Sequence, residues 1–176
     1  LKSGGRERTM DRNFFEENET NDMLLLRKLS TDVGMFSKVG ECEKYACADA
    51  SGITKDGKVA IVELKNRYNE IQDFGDIFIE SKKVAYLLLE NVTKGHIPLY
   101  INFFTVDGVT KHAAVWNLLN VTDYRYYARI KTHSNGYQSY EHRERFGLLY
   151  SDAWIYEIRE DNKFKLLKRG GKRTKR

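Results

Sequence analysis

Ala60-Ile61-Val62-Glu63-Leu64-Lys65 constrains this chain more than any other stretch. It reads as a buried strand that carries a carboxylate and an ammonium two residues apart. Side chains at i and i+2 of a strand share a face, so Glu63 and Lys65 project together. On an apolar strand unpaired charges are costly. Upstream, Cys47-Ala48-Asp49 ends another strand-like run, and Ser51 to Gly57 reads as the turn-forming segment between the two. An Asp, a Glu and a Lys converging on one spot suggest a metal site with an adjacent base.

The register supports that convergence. Asp56-Gly57 is a hairpin signal, and a tight hairpin centred near Lys55 and Asp56 places Asp49 opposite Glu63, within one residue. Directly opposed side chains lie roughly 4.5–5.5 Å apart. Two carboxylates at that separation repel unless a cation sits between them. Carboxylate oxygens are the hard ligands that magnesium and manganese prefer. The bland alternative is a structural ion pair at a sheet edge. It fits poorly with Ile61 on the same face as Glu63, because a buried pair is expensive to keep for stability alone.

The rest of the chain reads as a small α/β domain with a mixed central sheet. Residues 1–12 are polar and read as a disordered arm. A helix is expected from Asn13 to Leu29, then a short connector bracketed by Gly34 and Gly40. Strands are expected at Glu43–Ala50, Lys58–Asn66 and the short apolar Phe74–Ile79. A helix from Lys82 to Lys94 is capped by Ser81 and stopped by Gly95. Strands Pro98–Val106 and Thr110–Leu118 follow, joined by Asp107-Gly108. The order is α-β-β-β-α-β-β. The expected domain runs over 13–160, with its core in 14–118 and an aromatic and basic extension in 121–160. Tyr124, Tyr126, Tyr127, Tyr137, Tyr140 and Tyr150 mark that extension. They suit either base stacking or packing on the sheet.

Length and charge set outer limits. A chain of 176 residues is one domain with a real core. The net charge of +5 is local. Eight lysines and arginines fall within 163–176, and without them acids outnumber bases by about three. Residues 161–176 therefore read as a flexible basic tail that contacts phosphates. Cys42 and Cys47 have no zinc spacing, and on a regular strand they point to opposite faces, which argues against a disulfide. No apolar run has the length of a membrane span, and no signal peptide is visible, so a cytoplasmic location is expected.

The pattern D-x13-E-x-K formed by Asp49, Glu63 and Lys65, in an α-β-β-β-α-β order, resembles the PD-(D/E)XK nuclease superfamily. The resemblance covers residues 14–118 and points to a phage or resolvase-like member. It implies a restriction-endonuclease-like core and a metal-dependent endonuclease acting on DNA. It further implies that Asp49 and Glu63 hold magnesium, with manganese able to substitute, and that the Leu64 carbonyl touches the metal. Lys65 then orients or deprotonates the attacking water. A helix-1 glutamate often joins the site in such nucleases, and of Glu16, Glu17 and Glu19 the last has the matching spacing. Ala48 stands where the family often has proline. Arg67, Tyr68, Lys82 and Lys83 are the expected nucleic-acid contacts, and a homodimer is expected because cutting both strands needs two sites. The rival reading is a non-catalytic nucleic-acid-binding or protein-interaction module on a nuclease-like fold.

Overall fold

Apolar periodicity switches between helix and strand along the chain, and the structure follows it. The computed structural model describes residues 8–42, 47–71, 75–128, 130–134, 137–141 and 144–170. Helix α1 (Arg8–Val33) leads into strands β1 (Lys38–Glu41), β2 (Ala50–Ile53), β3 (Val59–Arg67) and β4 (Ile77–Glu80). Helix α2 (Ser81–Lys94) follows, then β5 (Ile97–Val106) and β6 (Val109–Asn117). The remaining strands are β7 (Arg125–Tyr127), β8 (Ile130–Ser134), β9 (Tyr137–Glu141), β10 (Arg145–Leu148), β11 (Trp154–Ile158) and β12 (Phe164–Lys168).

Seven strands form the main sheet in the order β1-β2-β3-β5-β6-β11-β12. Only β3 and β5 run parallel; the other neighbours are antiparallel. A parallel pair cannot be joined by a tight turn, and here β4 and α2 make the crossover. The fold is α/β with a mixed central sheet, as expected. β4 itself leaves the main sheet and pairs with β10, which pairs with β7, while β8 and β9 form a separate ribbon.

The pleat of β3 divides the interior. Ala60, Val62 and Leu64 face α1 and pack in one core with Leu26, Leu29 and Phe36. Ile61 faces the other way, into a core with Val84 and Leu87 of α2 and with Tyr100 and Trp116. Glu63, Lys65 and Arg67 share the Ile61 face by alternation. That apolar surroundings enclose a glutamate is the fact on which the site turns.

Several boundaries differ from the sequence reading. α1 takes in residues 8–12, which read as part of an arm; Arg8, Met10 and Arg12 are good helix formers. β1 begins inside the connector between Gly34 and Gly40 and runs through Gly40 to Glu41. The strand expected to end at Ala50 instead begins there: β2 pairs with β1 on one side and β3 on the other. Ser51-Gly52 resembles a turn, but Gly52 has a packing role, because a Cβ there would lie 2.7 Å from the Phe36 ring. The turn is confined to Thr54–Lys58, where Thr54 N donates to Lys58 O at 2.9 Å and Gly57 takes φ 80°.

Ser81 does not cap α2. Glu80 occupies the cap position, and the Ser81 hydroxyl donates to Glu144 O at 3.1 Å. Gly95 does end the helix, with φ 71° and its N–H donating to Asn91 O at 2.8 Å. The largest revision concerns the basic tail. Residues 164–168 are the edge strand β12, and Phe164 is buried. The Phe164 N–H donates to Asp32 Oδ2 of α1 at 2.9 Å. Lys28 pairs with Asp32 at 3.1 Å, donates to Asn162 O and lies over the Phe164 ring at 5.9 Å. The alternation of lysine with one buried aromatic hid an edge strand inside a charge run.

Candidate active site

The hairpin builds the site. Ala50 pairs with Val62, so one step beyond the ladder Asp49 stands across from Glu63, the expected register. The backbone continues that step: Asp49 N donates to Val62 O at 3.0 Å, and Cys42 N donates to Asp49 O at 3.1 Å. The Asp49 carboxylate is fixed as well, because its Oδ2 accepts from Leu64 N at 2.7 Å. Thus the Leu64 N–H is one of the tethers that place Asp49 against β3.

Glu63 is only 9% exposed. Burial first, and then the negative charge of Asp49, push its carboxyl up to about 7. A hydrogen bond from Lys83 and the Lys83 charge pull the other way without cancelling the rise. Lys83 Nζ lies 2.7 Å from Glu63 Oε2. Burial lowers the Lys83 ammonium, but the hydrogen bond with Glu63 and the charges of Glu63, Asp49 and Glu80 together hold it above its usual value. Lys65, one pleat repeat along from Glu63, is exposed. Among the described residues it makes no hydrogen bond or ion pair.

This arrangement presents two carboxylates, one buried and one tethered, on the mouth of a hairpin beside an unengaged ammonium. Its donor set is hard oxygen, which suits magnesium or manganese. The rise of the Glu63 carboxyl comes first from burial and then from the Asp49 charge, and a cation held between the two carboxylates would oppose both. Among the described residues no three His, Cys, Asp or Glu side chains converge on such a spot. Two carboxylates are a donor set compatible with an ion that keeps several waters. Glu19 lies on α1, and its side chain is outside the described residues.

The other expected contacts separate into two kinds. Lys82 is 80% exposed at its side chain and pairs with Glu80 at 3.3 Å, and Tyr68 is exposed. Arg67 is built into the fold: Nε donates to Asn102 Oδ1 at 2.8 Å, and Nη2 donates to Phe78 O at 3.0 Å and to Tyr100 OH at 3.3 Å. Lys83 is turned inward to Glu63. Two lysines in the first turn of a helix oppose its dipole, a misfit that reads from the sequence as a nucleic-acid contact and not as an ion pair with Glu63.

Several polar groups in the described part of the aromatic and basic extension are engaged by acids of the fold. Arg125 pairs with Asp76 at 3.3 Å and Asp123 at 3.2 Å, Tyr127 OH donates to Asp76 Oδ2 at 2.8 Å, and Tyr126 OH to Glu144 Oε1 at 3.0 Å. Its rings pack on neighbours: Tyr124 on Phe146, Tyr127 on Phe78, Tyr150 on Trp116. The side chains of Tyr137, Tyr140, His133 and His142 lie outside the described residues. Among the described residues no helix is long and apolar enough to cross a membrane.

No protein-family model matches the chain, and no curated protein matches it. Among solved structures it is similar to Hjc, a Holliday junction resolvase from the archaeal hyperthermophile Archaeoglobus fulgidus. The two share 11% identity over 75% of this chain and 84% of that one, with a TM-score of 0.44.

Proposed function

We propose that the chain is a metal-dependent nuclease that hydrolyses phosphodiester bonds in DNA, as an endonuclease of structure-specific or nicking type. The observation that carries this reading is the pairing of Asp49 with a buried Glu63 across the hairpin, with exposed Lys65 next on the same face. Asp49 and Glu63 hold the ion. Magnesium, or manganese in its place, supplies charge neutralisation at the phosphate and a more acidic bound water. Lys65 orients the attacking water by donating a hydrogen bond to it, or, as the neutral amine, accepts its proton. The tether from Leu64 N holds the Asp49 carboxylate, which lies just before β2, against the strand that carries Glu63. Double-strand cutting then calls for two copies of the chain, and a homodimer is part of the proposal.

The test is cleavage of supercoiled, linear, single-stranded and branched DNA with magnesium, manganese or EDTA. Asp49→Asn, Glu63→Gln and Lys65→Ala should each lower the rate by about 100-fold or more, with DNA affinity retained. Undiminished cutting by any of the three overturns its assigned role. One observation favours a non-catalytic binding module: Lys83 already gives Glu63 a partner. That reading gains if every substrate is bound and none is cut in the presence of metal.

A further inference from the structure

Lys83 sits where the mechanism has no fixed counter-ion. Its Nζ is 2.7 Å from Glu63 Oε2, and the two side chains are 23% and 11% exposed. Lys83 is the third residue of α2, in a first turn that contains no acid. There the helix dipole disfavours a cation, so the hydrogen bond to Glu63, with the charges of Asp49 and Glu80 behind it, holds the ammonium in place. The helix itself is fixed. Val84 and Leu87 are buried, and the Ser81 N–H and hydroxyl both bind Glu144 O. Any change in the Lys83 ammonium therefore comes from its flexible four-carbon stem and leaves α2 where it is.

We propose that Lys83 is a resident counter-ion that competes with a divalent cation for the Glu63 carboxylate, and that once displaced it becomes a phosphate contact beside the metal. This rests on the nuclease reading above. A single positive charge on Oε2 stabilises Glu63 when the protein is metal-free. A divalent ion on the same carboxylate repels that charge at a few ångströms. The ammonium then turns to the nearest anion, which in the nuclease complex is the DNA phosphate. One lysine thereby couples metal entry to substrate grip. DNA should be held more tightly with metal than without it for a reason separate from metal–phosphate bonding.

The experiment measures Mn2+ binding to the full chain by titration calorimetry, without DNA, for the natural protein, Lys83→Met, Lys83→Gln, Lys83→Arg and Glu63→Gln. Both neutral Lys83 variants should bind Mn2+ about tenfold more tightly, having lost the competitor, and Lys83→Arg should stay near the natural value. Duplex binding by fluorescence anisotropy should fall a few-fold in the neutral variants when Ca2+ is present and be unchanged in EDTA. Equal or weaker Mn2+ binding in the neutral variants, with binding abolished in Glu63→Gln, overturns the competition while leaving the metal site intact. Undiminished Mn2+ binding in Glu63→Gln overturns the metal site itself.

Discussion

Glu63 carries a measurable consequence of its own burial. Its folded-state carboxyl is raised to about 7 from an ordinary value of 4.5. Between those values the folded chain holds a proton that the unfolded chain has released. Stability therefore falls as pH rises through this window and levels off above about 7. The loss is on the order of 3 kcal/mol at most. Thermal melts in EDTA should show a higher Tm near pH 5.5 than near pH 8, and Glu63→Gln should remove that part of the difference. A pH dependence identical in the two proteins would sink the assignment. Divalent metal should reverse the trend, because it requires the deprotonated carboxylate. The partnership of Asp49 with Glu63 was legible in the sequence, since Asp56-Gly57 fixes the hairpin and the hairpin fixes the pairing. The Glu63–Lys83 contact was not. It depends on β4 leaving the sheet so that α2 returns over the face of β3, and no local pattern encodes that path.

At the level of elements, Arg67 joins three strands. From β3 it reaches the side chains of Asn102 and Tyr100 on β5 and the carbonyl of Phe78 on β4, to which Tyr100 OH also donates at 2.8 Å. Because β4 runs directly into α2, this clamp sets the distance between the sheet and the helix that carries Lys83. Arg67→Met should cost about 2–4 kcal/mol in urea unfolding, since it strands buried acceptors on two strands. Lys82→Met, whose side chain is solvent-facing, should change stability by less than about 0.5 kcal/mol. An Arg67 loss no larger than that of Lys82 would count against the clamp. Arg67 follows the E-x-K motif closely and so reads as a substrate contact from the sequence alone. Its partners are 11 to 35 residues away, and only the fold brings them within reach. The same holds for β2, where Ser51-Gly52 has turn chemistry but the Phe36 ring claims the space above the glycine.

For the whole molecule, the boundary between sheet and basic tail matters most. Removing residues 171–176 takes away Lys172, Arg173, Lys175 and Arg176 and no described strand. Such a truncation should melt as the intact chain does, while the salt slope of its DNA binding shrinks by up to about 3.6 if all four charges meet phosphates. Removing residues from 163 onward also takes away β12 and the buried Phe164, and it should destabilise the fold by about 3 kcal/mol or more. Equal melting temperatures for the two truncations would show β12 to be dispensable. The hydrogen bond from Phe164 to Asp32 has one more consequence, for the order of folding. It joins residues 132 positions apart, and contacts of such long range form late because the intervening loop must first be closed. Asp49, Glu63 and Lys83 lie within a span of 35 residues. These three charges are therefore brought together across much shorter loops than the one that the Phe164–Asp32 contact closes.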